Sequence, residues 1–371
     1  MRPALGLGTL AAPMTEPGLA TIQLHPRVRA RPLACWLLAC CAMVFAMVVI
    51  GGITRLTHSG LSIAEWNPIM GAVPPLSHAE WQAQFELYRT TPQYRLENAG
   101  MTLGEFKTIF WWEYVHRLWG RLIAAVFLLP FLYFLWRGRI ERRLAPKLAF
   151  LFVLGALQGA LGWFMVMSGL AQGTSVSQYR LAAHLAAALV IYAYMLWLAL
   201  DLLFPGEGTP PGMAAARPRL ASKLLVAWIF LVAVSGAFVA GLHAGLVFNS
   251  FPLMDGRLVP AGLFPSSPWF ASFFADVTTV QFDHRLLALL TLVLVILFRL
   301  SLGALDLAPR ARRAADLLAL MALVQIGLGI ATLLLVVPIP LAACHQAGAL
   351  LLFTCAVWTA HELDSPAQAR G

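Results

Sequence analysis

The sequence predicts an all-α polytopic membrane protein whose eight transmembrane helices form two four-helix bundles related by a pseudo-twofold axis. Two observations lead to this prediction: an apolar composition and a repeated order of motifs. Hydrophobic residues make up 60% of the 371 positions and charged residues only 12%, which is too apolar a balance for a soluble globular protein. We therefore expect the chain to be solvated by lipid.

Eight apolar runs are long enough to cross a bilayer, which takes about 20 mostly apolar residues. We number them spans 1 to 8, and they lie near 33–52, 118–136, 147–168, 180–203, 221–243, 283–302, 314–337 and 341–361. The first run has full spanning length and begins far from the first residue, so we interpret it as a retained helix and not as a cleavable signal sequence.

Basic residues predict the orientation of these spans. Lysine and arginine concentrate before span 1 and in the connections after spans 2, 4 and 6, and segments of this kind stay in the cytoplasm. The net charge of +9 follows from this bias and does not indicate nucleic-acid binding.

The predicted parts of the chain are cytoplasmic tails at 1–32 and 362–371, a cytoplasmic linker at 204–220, an N-terminal half at 33–203 and a C-terminal half at 221–361.

The order of motifs in the first half recurs in the second. Glu113-x-x-His116-Arg117 corresponds to Gln281-x-x-His284-Arg285, Gln158 and Gly162 correspond to Gln325 and Gly329, and His184 corresponds to His345. Each half thus offers one histidine from its second helix and one from its fourth, within the first turn or two from the outer end. We expect the two glutamines to bond across helices. Because each half has an even number of helices, both halves enter the membrane in the same sense, which predicts the pseudo-twofold axis.

The four repeated histidines are candidate metal ligands. An ionisable side chain inside a bilayer is costly and usually faces the protein interior or a cavity. A single membrane histidine is more often a hydrogen-bonding group between helices, but repetition at matching positions favours ligation. Neutral imidazole is an ordinary axial ligand of haem iron, whereas a structural zinc site would need further ligands close by. We therefore predict two haem sites, one at His116 and His184 and one at His284 and His345.

The two halves differ at the position three residues before the first histidine of each pair. Glu113 lies three residues before His116 on the same helical face, whereas Gln281 takes that place in the second half. A carboxyl group is therefore available on this face only at the first site, because Asp283, which adjoins His284, points elsewhere around its helix. We expect the first site to carry out chemistry, with Glu113 as an acid-base or charge-stabilising group, and the second to hold an electron-transfer haem. The alternative for Glu113 is a structural salt bridge with Arg117 or Arg121.

Five further histidines have weaker signals. His58 and His243 occupy related places at the outer ends of spans 1 and 5, where a surface position or a hydrogen bond near haem propionates would suffice to explain them. His25, His78 and His361 have no partner in the repeat, so we expect them to be solvated.

Several motifs together resemble those of the haem A synthase family of bacteria and mitochondria, and the resemblance covers nearly the whole chain. They are Glu113-x-x-His116-Arg117, Gly51-Gly52-x-Thr54-Arg55, Ser59-Gly60-Leu61-Ser62, Trp66-Asn67-Pro68, Pro74-Pro75 and Asp283-His284-Arg285. The resemblance implies oxidation of the C8 methyl group of haem O to the formyl group of haem A through successive hydroxylations, to supply cytochrome c oxidase.

The family pattern also implies roles for individual residues. His284 and His345 would bind haem b, His116 and His184 would form the site for the substrate haem O, and Glu113 would be required for turnover. Implied partners are haem O synthase, an electron donor that the sequence does not identify, and membrane lipid, with no nucleic acid. The expected location is the bacterial inner (plasma) membrane with both termini in the cytoplasm, and the sequence leaves homo-oligomer formation open.

The outer connection after span 1 holds further candidates. Arg55, Trp66 and Arg89 are candidates to cover the substrate haem or to meet its propionates. Some relatives carry a cysteine pair in this connection, but none is present between Gly51 and Trp112, so a thiol mechanism there is not expected.

Two other functions fit parts of the pattern. A cytochrome b-type quinol oxidoreductase would hold two bis-histidine haems without modifying them. A transporter built from parallel repeats would hold no haem, and the four matched histidines argue against it.

Overall fold

A computed structural model of the chain describes residues 26–65, 70–204 and 213–364. Most of the predicted cytoplasmic tails and part of the predicted linker lie outside these ranges, as do His25 and Trp66.

Eight of the described helices are long and apolar enough to cross a membrane, one for each predicted span. For spans 1 to 8 they are Pro26–Leu56, Leu103–Trp136, Ala145–Gln172, Gln178–Leu203, Met213–Gly241, Val277–Ser301, Pro309–Leu334 and Ile339–Asp364. The described ranges contain no β-strand. The prediction of an all-α protein with eight spans is confirmed, although the helix of span 5 begins inside the segment predicted as a linker.

The helix of span 2 begins well outside its apolar run. Thr102 and Glu105 form a capping box, in which Thr102 Oγ1 accepts from the Glu105 amide at 3.3 Å and Glu105 Oε2 accepts from the Thr102 amide at 2.8 Å. These bonds satisfy amides that the first helical turn leaves without partners. As a result His116 lies about four turns from the helix start, and the prediction of one or two turns is wrong for this histidine.

Helix packing follows the same plan in both halves. In each half the first helix contacts the second and fourth, and the third contacts the second and fourth, so that the four helices close into a bundle. The two bundles meet through their first and fourth helices: span 4 contacts spans 5 and 8, and span 1 contacts span 8. The pseudo-twofold axis itself stays a prediction.

The main buried apolar cluster concentrates towards one end of the helical bundles. Most of its members come from the predicted cytoplasmic portion of the eight spans, such as Leu37 in span 1, Phe131 in span 2, Ala199 in span 4 and Phe353 in span 8. The opposite portion of each bundle, which carries the repeated histidines, lies outside this cluster. The apolar core therefore packs the bundles at the predicted cytoplasmic end and leaves the end that carries the repeated histidines for polar groups.

His361 lies at the same end of the bundles as the apolar cluster and is only 1% exposed. Its Nε2 is 2.9 Å from Asp201 Oδ1 of span 4, and its ring packs edge-on against Trp197. The neighbouring Glu362 is also buried and pairs with Arg310 at 3.2 Å. The prediction that His361 is solvated is wrong, because spans 4 and 8 pack together here and supply a partner from the other half.

The outer connection after span 1 folds into a small cap. It contains the helices His78–Arg89 and Pro92–Leu96, and it packs on the outward extension of span 2. His78 is exposed, as predicted, and Arg89 pairs with Glu86 at 3.0 Å on the exposed face. The cap has an aromatic core made of Trp81, Phe85, Tyr88, Phe106, Phe110 and Tyr114.

Candidate functional site

The first predicted pair, His116 and His184, is brought together between spans 2 and 4. Both imidazoles are half-buried, and they interact electrostatically with each other. Each ring packs on a glycine of a neighbouring helix. A Cβ atom would lie 3.0 Å from His116 Nε2 if added at Gly51 of span 1, and 3.0 Å from His184 Cε1 if added at Gly162 of span 3. All four helices of the first half therefore shape this site.

The second pair, His284 and His345, repeats the arrangement. Its imidazoles are also half-buried and interact electrostatically. A Cβ atom added at Gly236 of span 5 would lie 3.2 Å from His284 Cε1, and one added at Gly329 of span 7 would lie 2.9 Å from His345 Cε1. Distances this short are tighter than ordinary van der Waals contact, so a larger residue would require the ring to shift, and we call each of these glycines the seat of its ring. Gly51, Gly162 and Gly329 belong to the motifs described above, whereas Gly236 of span 5 was not singled out, although comparison of the halves could have found it.

The two repeated glutamines tie the third helix of each half to the fourth. Gln158 Nε2 donates to the carbonyl oxygen of His184 at 2.8 Å, and Gln325 Nε2 donates to that of His345 at 2.9 Å. The predicted bonding across helices is confirmed. Because both bonds end at the backbone of a histidine, they fix the axial position of the third helix relative to the fourth helix at the level of that histidine.

Glu113 is 2% exposed and accepts four hydrogen bonds. Its Oε2 accepts from Ser62 Oγ and from the Ile63 amide, each at 2.8 Å. Its Oε1 accepts from Arg117 Nη2 at 2.6 Å and from Nε at 3.1 Å. The salt bridge weighed as the structural alternative is therefore present, and the same carboxylate also holds the chain that follows span 1.

The second half keeps the arginine and lacks the carboxylate. Arg285 donates to the carbonyl oxygens of Phe248 at 2.5 Å and Ser250 at 2.8 Å, in the connection after span 5. Gln281 donates to the same Phe248 oxygen at 3.2 Å. In both halves an arginine thus anchors the connection to the second helix, but among the described residues an ion pair between this arginine and a carboxylate is seen in the first half.

His58 and His243 stack on each other where the two halves meet. Their ring centroids are 5.4 Å apart and their planes differ by 4°. Both residues have left-handed backbones, with φ of 54° and 53°. Arg55 Nη2 lies 2.8 Å from His243 Nε2 and also donates to the Ala240 carbonyl oxygen at 3.1 Å. Their related positions were visible in the sequence, but their contact was not.

The electrostatic setting of His243 disfavours its charged form. Burial, together with the neighbouring Arg55 and His58, lowers the pKa of His243 to about 4, while Glu97 opposes the shift. The neutral ring can therefore accept the hydrogen bond of the guanidinium. Arg55 consequently joins span 1 to the end of span 5, rather than pointing only at the first site.

The donor set fits haem better than a bare metal ion. Among residues 26–65, 70–204 and 213–364, no group of three or more histidine, cysteine, aspartate or glutamate side chains could hold a metal. A haem iron needs only two axial ligands from the protein, and two imidazoles are a common choice. Two such pairs, placed outside the apolar core and seated on glycines, are suited to this ligation.

The fold and the sites define a multi-pass helical membrane protein with two paired-imidazole centres. The family model described as cytochrome oxidase assembly protein matches residues 34–357, and the chain belongs to this family. It is similar to the haem A synthase of Nitrosospira multiformis, with 57% identity over 90% of this chain and 94% of the relative. It is also similar to the haem A synthases of Nitrosomonas eutropha, at 53% identity over 90% and 94%, and Parvibaculum lavamentivorans, at 51% over 89% and 94%.

Proposed function

We propose that this chain is a haem A synthase, an oxidoreductase that converts haem O to haem A for cytochrome c oxidase. Relatives that carry this name share about half of its residues over nearly their whole length. The structural observation that carries the proposal is a pair of matching imidazole sites with a buried carboxylate, Glu113, beside only one of them. Both sites can bind a haem through two imidazoles, and the additional carboxylate distinguishes the site of a substrate haem from the site of a resident haem.

The residues divide between these two haems as follows. His116 and His184 hold the substrate haem O, and His284 and His345 hold a resident haem b. When bound, haem b supplies one-electron transfer. The chain contributes the orientation of the imidazoles, which the glycine seats and the glutamine bonds to the histidine backbones set before any haem arrives.

Glu113 acts by holding charge and structure beside the substrate site. Both of its oxygens already accept two hydrogen bonds, so a proton transfer would first require the loss of one of them. Its contacts favour the charge-stabilising role over the acid-base role. The carboxylate fixes Arg117 and the connection at Ser62 and Ile63 against the rim of the first site, and loss of this group is expected to stop turnover.

We place the protein in the bacterial plasma membrane with both termini in the cytoplasm and both haem sites towards the outer face. Haem O carries an apolar tail that partitions into lipid, so it enters the first site laterally between helices. Haem O synthase supplies this substrate, and a separate electron donor exchanges electrons with the second site.

Haem analysis tests the proposal. The chain is produced in a host that makes haem O but no haem A, and the extracted haems are identified by mass spectrometry. The wild type is expected to yield haem A, whereas Glu113→Ala is expected to yield haem O or a hydroxylated intermediate. Gln281→Ala is the matched control in the second half and should still yield haem A. Two stoichiometric b haems with quinol turnover and no formylated product would instead identify a quinol oxidoreductase, and normal haem A from Glu113→Ala would remove this residue from the mechanism.

A further inference from the structure

We propose that Ser235 is a positioning residue that fixes the ring of His284 in the one tautomer able to bind iron through Nε2. The inference rests on the proposed function, in which His284 binds the resident haem. Ser235 has no counterpart in the first half, and this difference agrees with a second site that retains its haem permanently.

The tautomer follows from the two contacts of the Ser235 hydroxyl. Its Oγ lies 2.8 Å from the Val232 carbonyl oxygen and 2.8 Å from His284 Nδ1. A hydroxyl has one hydrogen to donate, and the carbonyl oxygen can only accept, so that hydrogen goes to Val232. Oγ must then accept from His284, which places the ring hydrogen on Nδ1. The lone pair of Nε2 is left free for a metal.

The next residue in the chain completes this support. Gly236 provides the seat for the same ring, since an added Cβ there would lie 3.2 Å from His284 Cε1. Two consecutive residues of span 5 therefore act on one imidazole, one through a hydrogen bond at its edge and the other through close packing. Together they restrict both rotation of the ring and exchange of its tautomer.

The first half lacks this device. Gly51 is the seat for His116, and the residue before it is Ile50, which has no hydrogen-bonding side chain. No described residue hydrogen-bonds the His116 ring, and His184 Nδ1 is buried without a partner. The ring of His116 also turns Nε2, not Cε1, towards its glycine. Imidazoles that no hydrogen bond holds in one tautomer suit a substrate haem, which must enter the site, react and leave.

The glutamines do not explain this difference between the halves. Both Gln158 and Gln325 donate to the backbone of their histidine. Gln325 Nε2 also lies 3.1 Å from His345 Nδ1, but an amide nitrogen is a donor and cannot accept the hydrogen that an Nε2-ligated imidazole carries there. Ser235 is thus the one hydrogen-bond acceptor that the described residues offer to any of the four ligand rings.

Partners that orient a metal-bound histidine typically change metal affinity by about 10- to 100-fold when they are removed, and they increase the basicity of the ligand. We therefore expect Ser235→Ala to weaken retention of haem b by about 10- to 100-fold. We also expect its midpoint potential to rise, because a less basic ligand stabilises the ferric form less. Ser235→Thr keeps the hydroxyl and should behave like the wild type.

The test uses purified full-length protein loaded with haem b. Loss of haem to excess apomyoglobin and the midpoint potential from a redox titration are both followed by visible absorbance. Ser222→Ala is the matched control, because Ser222 is a buried serine on the same helix, donates to the Arg219 carbonyl oxygen at 2.8 Å and touches no ligand histidine. Should Ser235→Ala fail to accumulate, Ser235→Cys removes the strong acceptor at similar volume and should show the same two changes.

Wild-type haem retention and potential in Ser235→Ala would overturn the inference. His284→Ala separates that failure from a failure of the proposed function. If His284→Ala loses the haem b spectrum while Ser235→Ala is normal, the ligand assignment stands and only the role of Ser235 is lost. If His284→Ala keeps the spectrum, the assignment of the second site is itself wrong.

Discussion

Replacement of Glu113 by alanine should release the chain that follows span 1 from the second helix. The carboxylate is the acceptor for the Ser62 hydroxyl and the Ile63 amide, and it forms an ion pair with Arg117 at 2.6 Å. The Arg117 side chain is 12% exposed, so water can replace the lost partner only in part. Alanine would remove the ion pair of Arg117 and the acceptor of the Ile63 amide, and it would leave the Ser62 hydroxyl only the more distant Ile109 carbonyl oxygen, at 3.4 Å.

The magnitude follows from these contacts. Removal of one partner from a buried ion pair costs about 3–5 kcal/mol. Arg117 keeps two carbonyl acceptors, Glu65 O and Ile63 O, each at 2.9 Å, which argues for the lower end, about 3 kcal/mol. Each 1.4 kcal/mol is a factor of ten in an equilibrium constant, so the opening equilibrium of this segment should increase by about 100-fold.

Amide hydrogen exchange of the purified protein, read by mass spectrometry on peptides that contain Ile63, measures this opening. The expected result is exchange about 100-fold faster in Glu113→Ala than in the wild type. Gln281→Ala is the control, since the glutamine makes one neutral hydrogen bond to Phe248 worth about 1 kcal/mol, and it should affect only the connection after span 5. Unchanged exchange at Ile63 would refute the view that Glu113 holds this segment.

Two further predictions concern a glycine seat and a histidine at the junction of the halves. Gly329→Ala should displace the His345 ring and reduce the haem b absorbance of the purified protein, whereas Gly327→Ala, where an added Cβ has open space, should not; equal spectra would contradict the seat. His243 has a pKa of about 4 in the folded protein and about 6.5 unfolded, so the unfolded chain binds more protons between these values and stability should fall as pH falls from 6.5 towards 4. The loss should level off below pH 4, and thermal unfolding of the wild type against His243→Gln measures it; parallel pH profiles would exclude this histidine. The charged and titratable groups that face His243 are Arg55, His58 and Glu97.

The number of spans and the pairing of the four repeated histidines could be predicted from the sequence. A transmembrane helix is encoded by about 20 successive apolar residues, which is a local property and needs no knowledge of packing. The repeat supplied a second, internal comparison: because the order of motifs recurs, His116 could be matched with His284, and the difference between Glu113 and Gln281 became visible.

Only the tertiary structure decided which side chains meet these groups. Ser235 reaches His284 across 49 positions, Ser62 reaches Glu113 across 51, and Asp201 reaches His361 across 160. The last of these contacts contradicted the expectation of a solvated histidine. Successive residues on a helix point about 100° apart, so a partner depends on how each helix is rotated against its neighbours. That rotation is set by packing over the whole bundle, and no local stretch of sequence contains it.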